Sequence, residues 1–220
     1  MPGLLLVPDY DLATRSASGF ILRWISPRMA PIQLYSILDR RLPFRLSAPQ
    51  SDIIIGVGHG GPDVLAGQNS GVILKVGQYN PKEIEGKVIK LLACQTGVTL
   101  GPDLIDNGAE CYMGYVDDYV WIVDEDVIGT PWNDALAIPC LEPVVDGINA
   151  LLDGQTAEEA FNLELKGYSE YAQVEENLLI RACINFNMKN AVLLGNKEAV
   201  VKQRPSIVFP IGPPPFPKFF

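Results

Sequence analysis

The sequence predicts an α/β domain built on a mostly parallel sheet. Short, largely apolar runs recur at Leu4–Val7, Asp52–Gly58, Val88–Ala93 and Ala191–Asn196. Such runs mark strands buried on both faces. Stretches of helical character separate most of them, and this alternation is what a sheet covered on both sides requires. The 20 glycines and 18 prolines demand many turns between short elements.

Leu4–Val7 ends at Pro8-Asp9-Tyr10-Asp11, a strand running into a loop. Residues 13–27 combine Ile21, Leu22, Trp24 and Ile25 with Arg15, Ser16, Ser18 and Arg23. An amphipathic helix follows, weakened by Gly19 and stopped by Pro27. Ile32–Leu38 reads as a second strand. Residues 39–50 carry Arg40, Arg41 and Arg45, broken by Pro43 and Pro49, and read as irregular. Asp52–Gly58 is β-branched and bounded by turn residues, the strongest strand signal in the first half. Residues 63–76 predict a hairpin, Val64-Leu65 and Val72–Leu74 around a turn at 67–71. Pro81–Ile84 opens a short helix with proline in its first turn.

Val88–Ala93 is a buried strand ending at Cys94-Gln95-Thr96-Gly97. A short helix over 99–107 ends at Asn107-Gly108. Glu110–Val116 and Tyr119–Val123 read as strands. From 131 onward the chain turns helical, punctuated by Pro139 and Pro143, with helices over 144–153 and 157–181. Thr156 and Glu159 have capping-box spacing. Ala191–Asn196 is the last strand. The organisation is one domain over 1–204 and a Pro/Phe-rich tail over 205–220, which has polyproline-like composition.

Of 220 residues, 48% are hydrophobic and 20% charged, which is ordinary globular usage and argues against a disordered chain. Seventeen Lys and Arg oppose 26 Asp and Glu, a net charge of −9. That balance argues against a nucleic-acid partner, because phosphate binding needs a basic surface. No run of 18 apolar residues predicts a membrane span. Leu4–Val7 is too short for a secretory leader and lacks preceding basic residues. A reducing cytoplasm is the expected compartment.

His59 is the single histidine. Zinc chemistry that needs two or three histidines from one chain is therefore excluded. The four cysteines, at 94, 111, 140 and 183, form no Cys-x-x-Cys pair. Cys111, Cys140 and Cys183 lie in apolar stretches and read as packing residues. No metal site is expected.

Two strands end in reactive side chains. Asp52–Gly58 delivers His59, and Val88–Ala93 delivers Cys94. If the strands are parallel, both side chains emerge at the same sheet edge. A thiol needs a base to become the nucleophilic thiolate, and imidazole can be that base. Gly60 lets a substrate carbonyl approach bare backbone, so the amides of Gly60 and Cys94 are candidate oxyanion donors. Gly56-Val57-Gly58-His59-Gly60-Gly61 also fits Gly-x-Gly-x-x-Gly. It leads into proline and a hairpin, so no helix N-terminus is offered to a pyrophosphate.

The blocks DIIIGVGHGG and VIKLLACQTG resemble the two signatures of the caspase–gingipain clan of cysteine peptidases, a strand ending in His-Gly and a strand ending in Ala-Cys. GPDLIDNGAECYMGY is similar to the pattern that follows the cysteine in gingipain and CHAT proteins, and TAEEAF with AVLLGN is similar to their closing helix and strand. Gly195-Asn196-Lys197 departs from the more usual Gly-Asp-Pro. The resemblance covers residues 1–200. It implies a caspase-like three-layer sandwich with a mostly parallel sheet of roughly six strands. It further implies a cysteine endopeptidase, with His59 as base and Cys94 as nucleophile, acting on protein or peptide substrates without a cofactor. Calcium activation and autoprocessing occur in such proteins, and Arg40-Arg41 is one conceivable cut site. An acid after the first strand selects Arg or Lys in clostripain-like members, which makes Asp9 and Asp11 candidate pocket residues; helix capping is the competing role. Asp117, Asp118 and Trp121 are further pocket candidates. A catalytically weak caspase-like interaction module is the alternative. Oligomeric state is not legible.

Overall fold

The computed structural model describes residues 2–28 and 30–202. The Pro/Phe-rich tail at 205–220 lies outside the described residues. Nine strands and six helices of at least seven residues follow one another among the described residues. They are β1 (Pro2–Val7), α1 (Leu12–Ile25), β2 (Ala30–Tyr35), α2 (Arg41–Ser47), β3 (Ile53–Val57), β4 (His59–Gly61), β5 (Val64–Ala66) and β6 (Val72–Lys75). Then come β7 (Val88–Leu92), α3 (Leu100–Asp106), β8 (Cys111–Tyr115), α4 (Ile138–Leu152), α5 (Ala157–Val174), α6 (Leu178–Asn190) and β9 (Ala191–Gly195).

The main sheet has six strands in the order β2-β1-β3-β7-β8-β9. All neighbours are parallel except β8 and β9. The α/β class and the mostly parallel six-stranded sheet are therefore as the sequence predicts. Alternate residues of each strand serve opposite faces, as the period of two dictates. Leu5 and Val7 of β1, with Ile53, Ile55 and Val57 of β3, pack on one side with α1, α4, α5 and α6. Leu4, Leu6 and Ile54 face the other side, against Phe44 of α2, Leu100 and Leu104 of α3, and the β5–β6 hairpin. Covering both faces explains why the central strands read as largely apolar runs.

Lys90 of β7 breaks that apolar pattern. Its Nζ lies 2.6 and 2.8 Å from the Glu164 carboxylate of α5, and both side chains are essentially fully buried. The Tyr115 hydroxyl donates to the same carboxylate (2.6 Å) and meets the Tyr168 hydroxyl (3.0 Å). Mutual pairing and hydrogen bonds are what allow two charges inside a core.

Several boundaries differ from the sequence reading. Residues 39–50 are not irregular: Arg41–Ser47 is helical, and Pro43 falls within its first turn, where a proline costs no hydrogen bond. Arg41 is fixed there by paired bonds to buried Glu83 (2.7 and 3.0 Å), so the Arg40–Arg41 bond sits at a helix start. Tyr119–Val123 forms no strand. Its Val120 amide and carbonyl instead bond the Asn187 side chain (2.9 and 2.7 Å), which takes the place of a strand neighbour. The helix expected over 157–181 divides at 175–177, where Asn177 caps α6 through Leu179 and Ile180. The Thr156–Glu159 capping box is present. Among the described residues no helix is long and apolar enough to cross a membrane.

Candidate active site

β3 and β7 are adjacent at the centre of the sheet, with Val57 opposite Leu92. His59 and Cys94 each follow two residues later, so the register alone brings both to one sheet edge. The Gly58 amide extends the pairing to the Leu92 carbonyl (3.3 Å). The chain then turns into β4, which begins the small antiparallel sheet β4-β5-β6. β4 passes hard against Cys94. A Cβ on Gly60 would stand 2.2 Å from the Cys94 carbonyl oxygen and 3.0 Å from its amide nitrogen. Only a residue without a side chain permits this approach.

The turn after Cys94 is strained and tied down. Gln95 has φ +58°, a left-handed conformation that costs a residue with a Cβ about 1–2 kcal/mol. Its amide donates to the Asp117 carbonyl (3.0 Å), its side chain to Asp118 (2.9 Å), and the Gly97 amide to the Tyr115 carbonyl (2.7 Å). Buried Thr96 accepts from the Tyr112 hydroxyl (2.7 Å). These bonds hold a sharp bend directly after the end of β7, with Cys94 at its shoulder.

The Cys94 thiol is half-buried and accepts the Tyr119 amide proton (3.4 Å). Burial pushes its pKa up, the Tyr119 amide pulls it down, and the Asp118 carboxylate pushes it up again; the net shift is upward. The resting group at neutral pH is the thiol. A neighbouring base is therefore needed before it can attack.

His59 meets such a supporting environment. Its Nε2 lies 2.6 Å from Asp11 Oδ2, and the Tyr10 ring approaches edge-on at 5.8 Å. Asp11 is also the N-cap of α1. Its Oδ1 accepts from the Thr14 amide (2.8 Å) and hydroxyl (2.8 Å), while Thr14 Oγ1 accepts the Asp11 amide (3.2 Å). One carboxylate oxygen thus serves the helix and the other serves His59. Partial burial raises the Asp11 pKa, but the Thr14 amide, the His59 ring and the Thr14 hydroxyl outweigh it, and the carboxyl lies below its ordinary value.

A pocket of about 100 Å³ opens beside His59 and Cys94. α1 supplies Ala13, Thr14 and Ala17 to it, the strands supply Val57 and Leu92, and the following loop supplies Tyr119 and Trp121. Trp121 lines this pocket. None of the four candidate aspartates lines this pocket. Asp11 is turned to Thr14 and His59. Asp9 is paired with Gln68 (2.9 and 3.0 Å) and lines a separate groove with Arg15 and Tyr35. Asp117 accepts from the Asp118 amide (2.8 Å), and Asp118 holds Gln95.

Two features escaped the sequence reading. The Asp11–His59 bond spans 48 residues, and no local pattern encodes it. The Tyr119 amide at the thiol depends on a loop that looks like a strand. The Asp11-x-x-Thr14 spacing does carry the helix cap. All four cysteines are free. Among the described residues, no group of three or more His, Cys, Asp or Glu side chains is placed to hold a metal ion. No protein-family model matches this chain, and no curated protein matches its sequence.

Proposed function

We propose that the chain is a cysteine endopeptidase with a caspase-like three-layer fold. The observation that carries this reading is the pairing of β3 with β7, which brings the only histidine and one half-buried cysteine to a common pocket. In the neutral tautomer that donates Nε2–H to Asp11, the His59 Nδ1 lone pair is free to act as base. Nδ1 takes the Cys94 proton and the sulfur attacks the peptide carbonyl carbon. The resulting oxyanion is met by backbone N–H groups at Gly60 and Cys94. As the C–N bond breaks, His59 returns the proton to the leaving amine, and a thioester remains on Cys94. Water, deprotonated by His59, then releases the acid and regenerates the thiol.

Asp11 is a positioning residue here. It holds the ring and stabilises the imidazolium that forms, as a triad acid does. The free cysteines accord with a reducing compartment. A second reading, an interaction module with little chemistry, is favoured by the raised thiol pKa of Cys94. Incubation with a mixed peptide pool, read by mass spectrometry, separates the two. Peptidase action predicts discrete cuts that vanish in Cys94→Ala and His59→Ala; the module predicts an unchanged pool.

A further inference from the structure

We infer that this site selects a neutral aliphatic side chain, such as Leu, Val or Met, in the residue before the cleaved bond. The inference rests on the peptidase reading and replaces the expected preference for Arg or Lys. The pocket beside Cys94 is walled by Ala13, Ala17, Val57, Leu92, Tyr119 and Trp121. The polar groups of Thr14, Tyr119 and Trp121 are bonded elsewhere. The Thr14 hydroxyl is engaged by Asp11 on both its donor and acceptor sides. The Tyr119 hydroxyl donates to the Cys140 carbonyl and lies 3.3 Å from the Tyr168 hydroxyl. The Trp121 Nε1–H donates to Ser16 Oγ (3.2 Å). What a ligand meets is mainly hydrocarbon, with His59 and Cys94 at one side.

A guanidinium or ammonium pushed into such a pocket loses water and gains no carboxylate in its lining, so burial there is unfavourable. No carboxylate lines the pocket; Asp11 bonds Thr14 and His59, and Asp118 bonds Gln95. An aliphatic group gains by the same burial. Size narrows the choice further. About 100 Å³ is less than the roughly 150 Å³ apolar cavity that takes up benzene, so one branched or unbranched aliphatic chain fits better than an indole.

The test uses one peptide scaffold with Leu, Val, Met, Phe, Arg, Lys or Asp at a single position. We expect kcat/KM for Leu to exceed that for Arg by at least tenfold. Ala13→Asp places a carboxylate at the pocket in the first turn of α1, where an acid suits the helix, and should narrow or invert that ratio. Equal or better cleavage after Arg or Lys in the unmodified protein overturns the inference and leaves the peptidase reading standing. The same peptides are also tested for slowing alkylation of Cys94 by iodoacetamide, which needs no turnover. If nothing is cut but the Leu peptide protects Cys94 more than the Arg peptide, the peptidase reading fails and the pocket's selectivity stands. Protection by neither, or equally by both, overturns the selectivity.

Discussion

The Asp11 carboxylate meets His59 Nε2 at 2.6 Å, tying the start of α1 to the start of β4. One acid thereby links a helix cap to the proposed base. Two substitutions separate these roles. Asn is as good an N-cap as Asp, whereas Ala costs about 1 kcal/mol. Asp11→Ala should therefore lower thermal stability measurably and Asp11→Asn much less. Both should lower kcat at least tenfold, because neither offers His59 a carboxylate. A kcat unchanged in Asp11→Asn would leave Asp11 as a cap alone.

The same carboxyl makes a pH prediction. Its pKa lies below the unfolded value of 3.8. A group depressed on folding adds stability that is present above the unfolded pKa and is lost as pH falls through the folded one. Below about pH 4, unfolding midpoints of the unmodified protein should fall more steeply than those of Asp11→Asn. Parallel curves would contradict a depressed Asp11 carboxyl.

Asp39 predicts a loss of stability in the opposite direction of pH. It is fully buried, neither carboxylate oxygen has a hydrogen-bond partner among the described residues, and burial raises its pKa to about 8. Folding then favours the protonated form. The contribution is fully present below about pH 4 and is lost as pH rises through about 8. Denaturant midpoints should decline between about pH 5 and 8, and Asp39→Asn, which cannot ionise, should flatten that decline.

Glycines at two sites distinguish crowding from conformation. Gly60→Ala forces a methyl against the Cys94 backbone; overpacking of this kind costs about 1–3 kcal/mol, and peptide cleavage should be lost with it. Gly77 has φ +68°, and a Cβ there would meet no atom within 4 Å. Gly77→Ala should cost about 1–2 kcal/mol in left-handed strain and leave kcat unchanged.

The buried pair beneath the sheet is a stability element. Glu164→Gln strands the Lys90 ammonium, and breaking such a pair costs about 3–5 kcal/mol. Lys90→Met combined with Glu164→Gln should recover part of that loss in a chemical denaturation series. A larger loss in the double variant than in Glu164→Gln alone would contradict the pairing.

The sheet was legible because its central strands are buried on both faces. Ile53–Ile55 and, apart from Lys90, Val88–Leu92 announce themselves as apolar runs, and the two residues that follow each strand place His59 and Cys94. α2 was hidden because its proline and arginines resemble a loop, while a single buried Phe44 docks it. β4 is His-Gly-Gly and has no strand signature until β5 pairs with it. The pocket residues come from three separate segments, so their common lining is a product of packing. Asp11 shows the limit most clearly. Its capping role is local and could be read, whereas its bond to His59 exists only because β1 and β3 are neighbours.

The central claim is that Cys94 carries an acyl group formed with the help of His59. The most direct measurement is acid-quenched intact mass spectrometry during turnover of an activated peptide ester, followed by mapping of the adduct. The account predicts one acyl group on Cys94, none in Cys94→Ala, and acylation slowed about 100-fold or more in His59→Ala. An adduct on Cys111, Cys140 or Cys183, or equal acylation with and without His59, would contradict it.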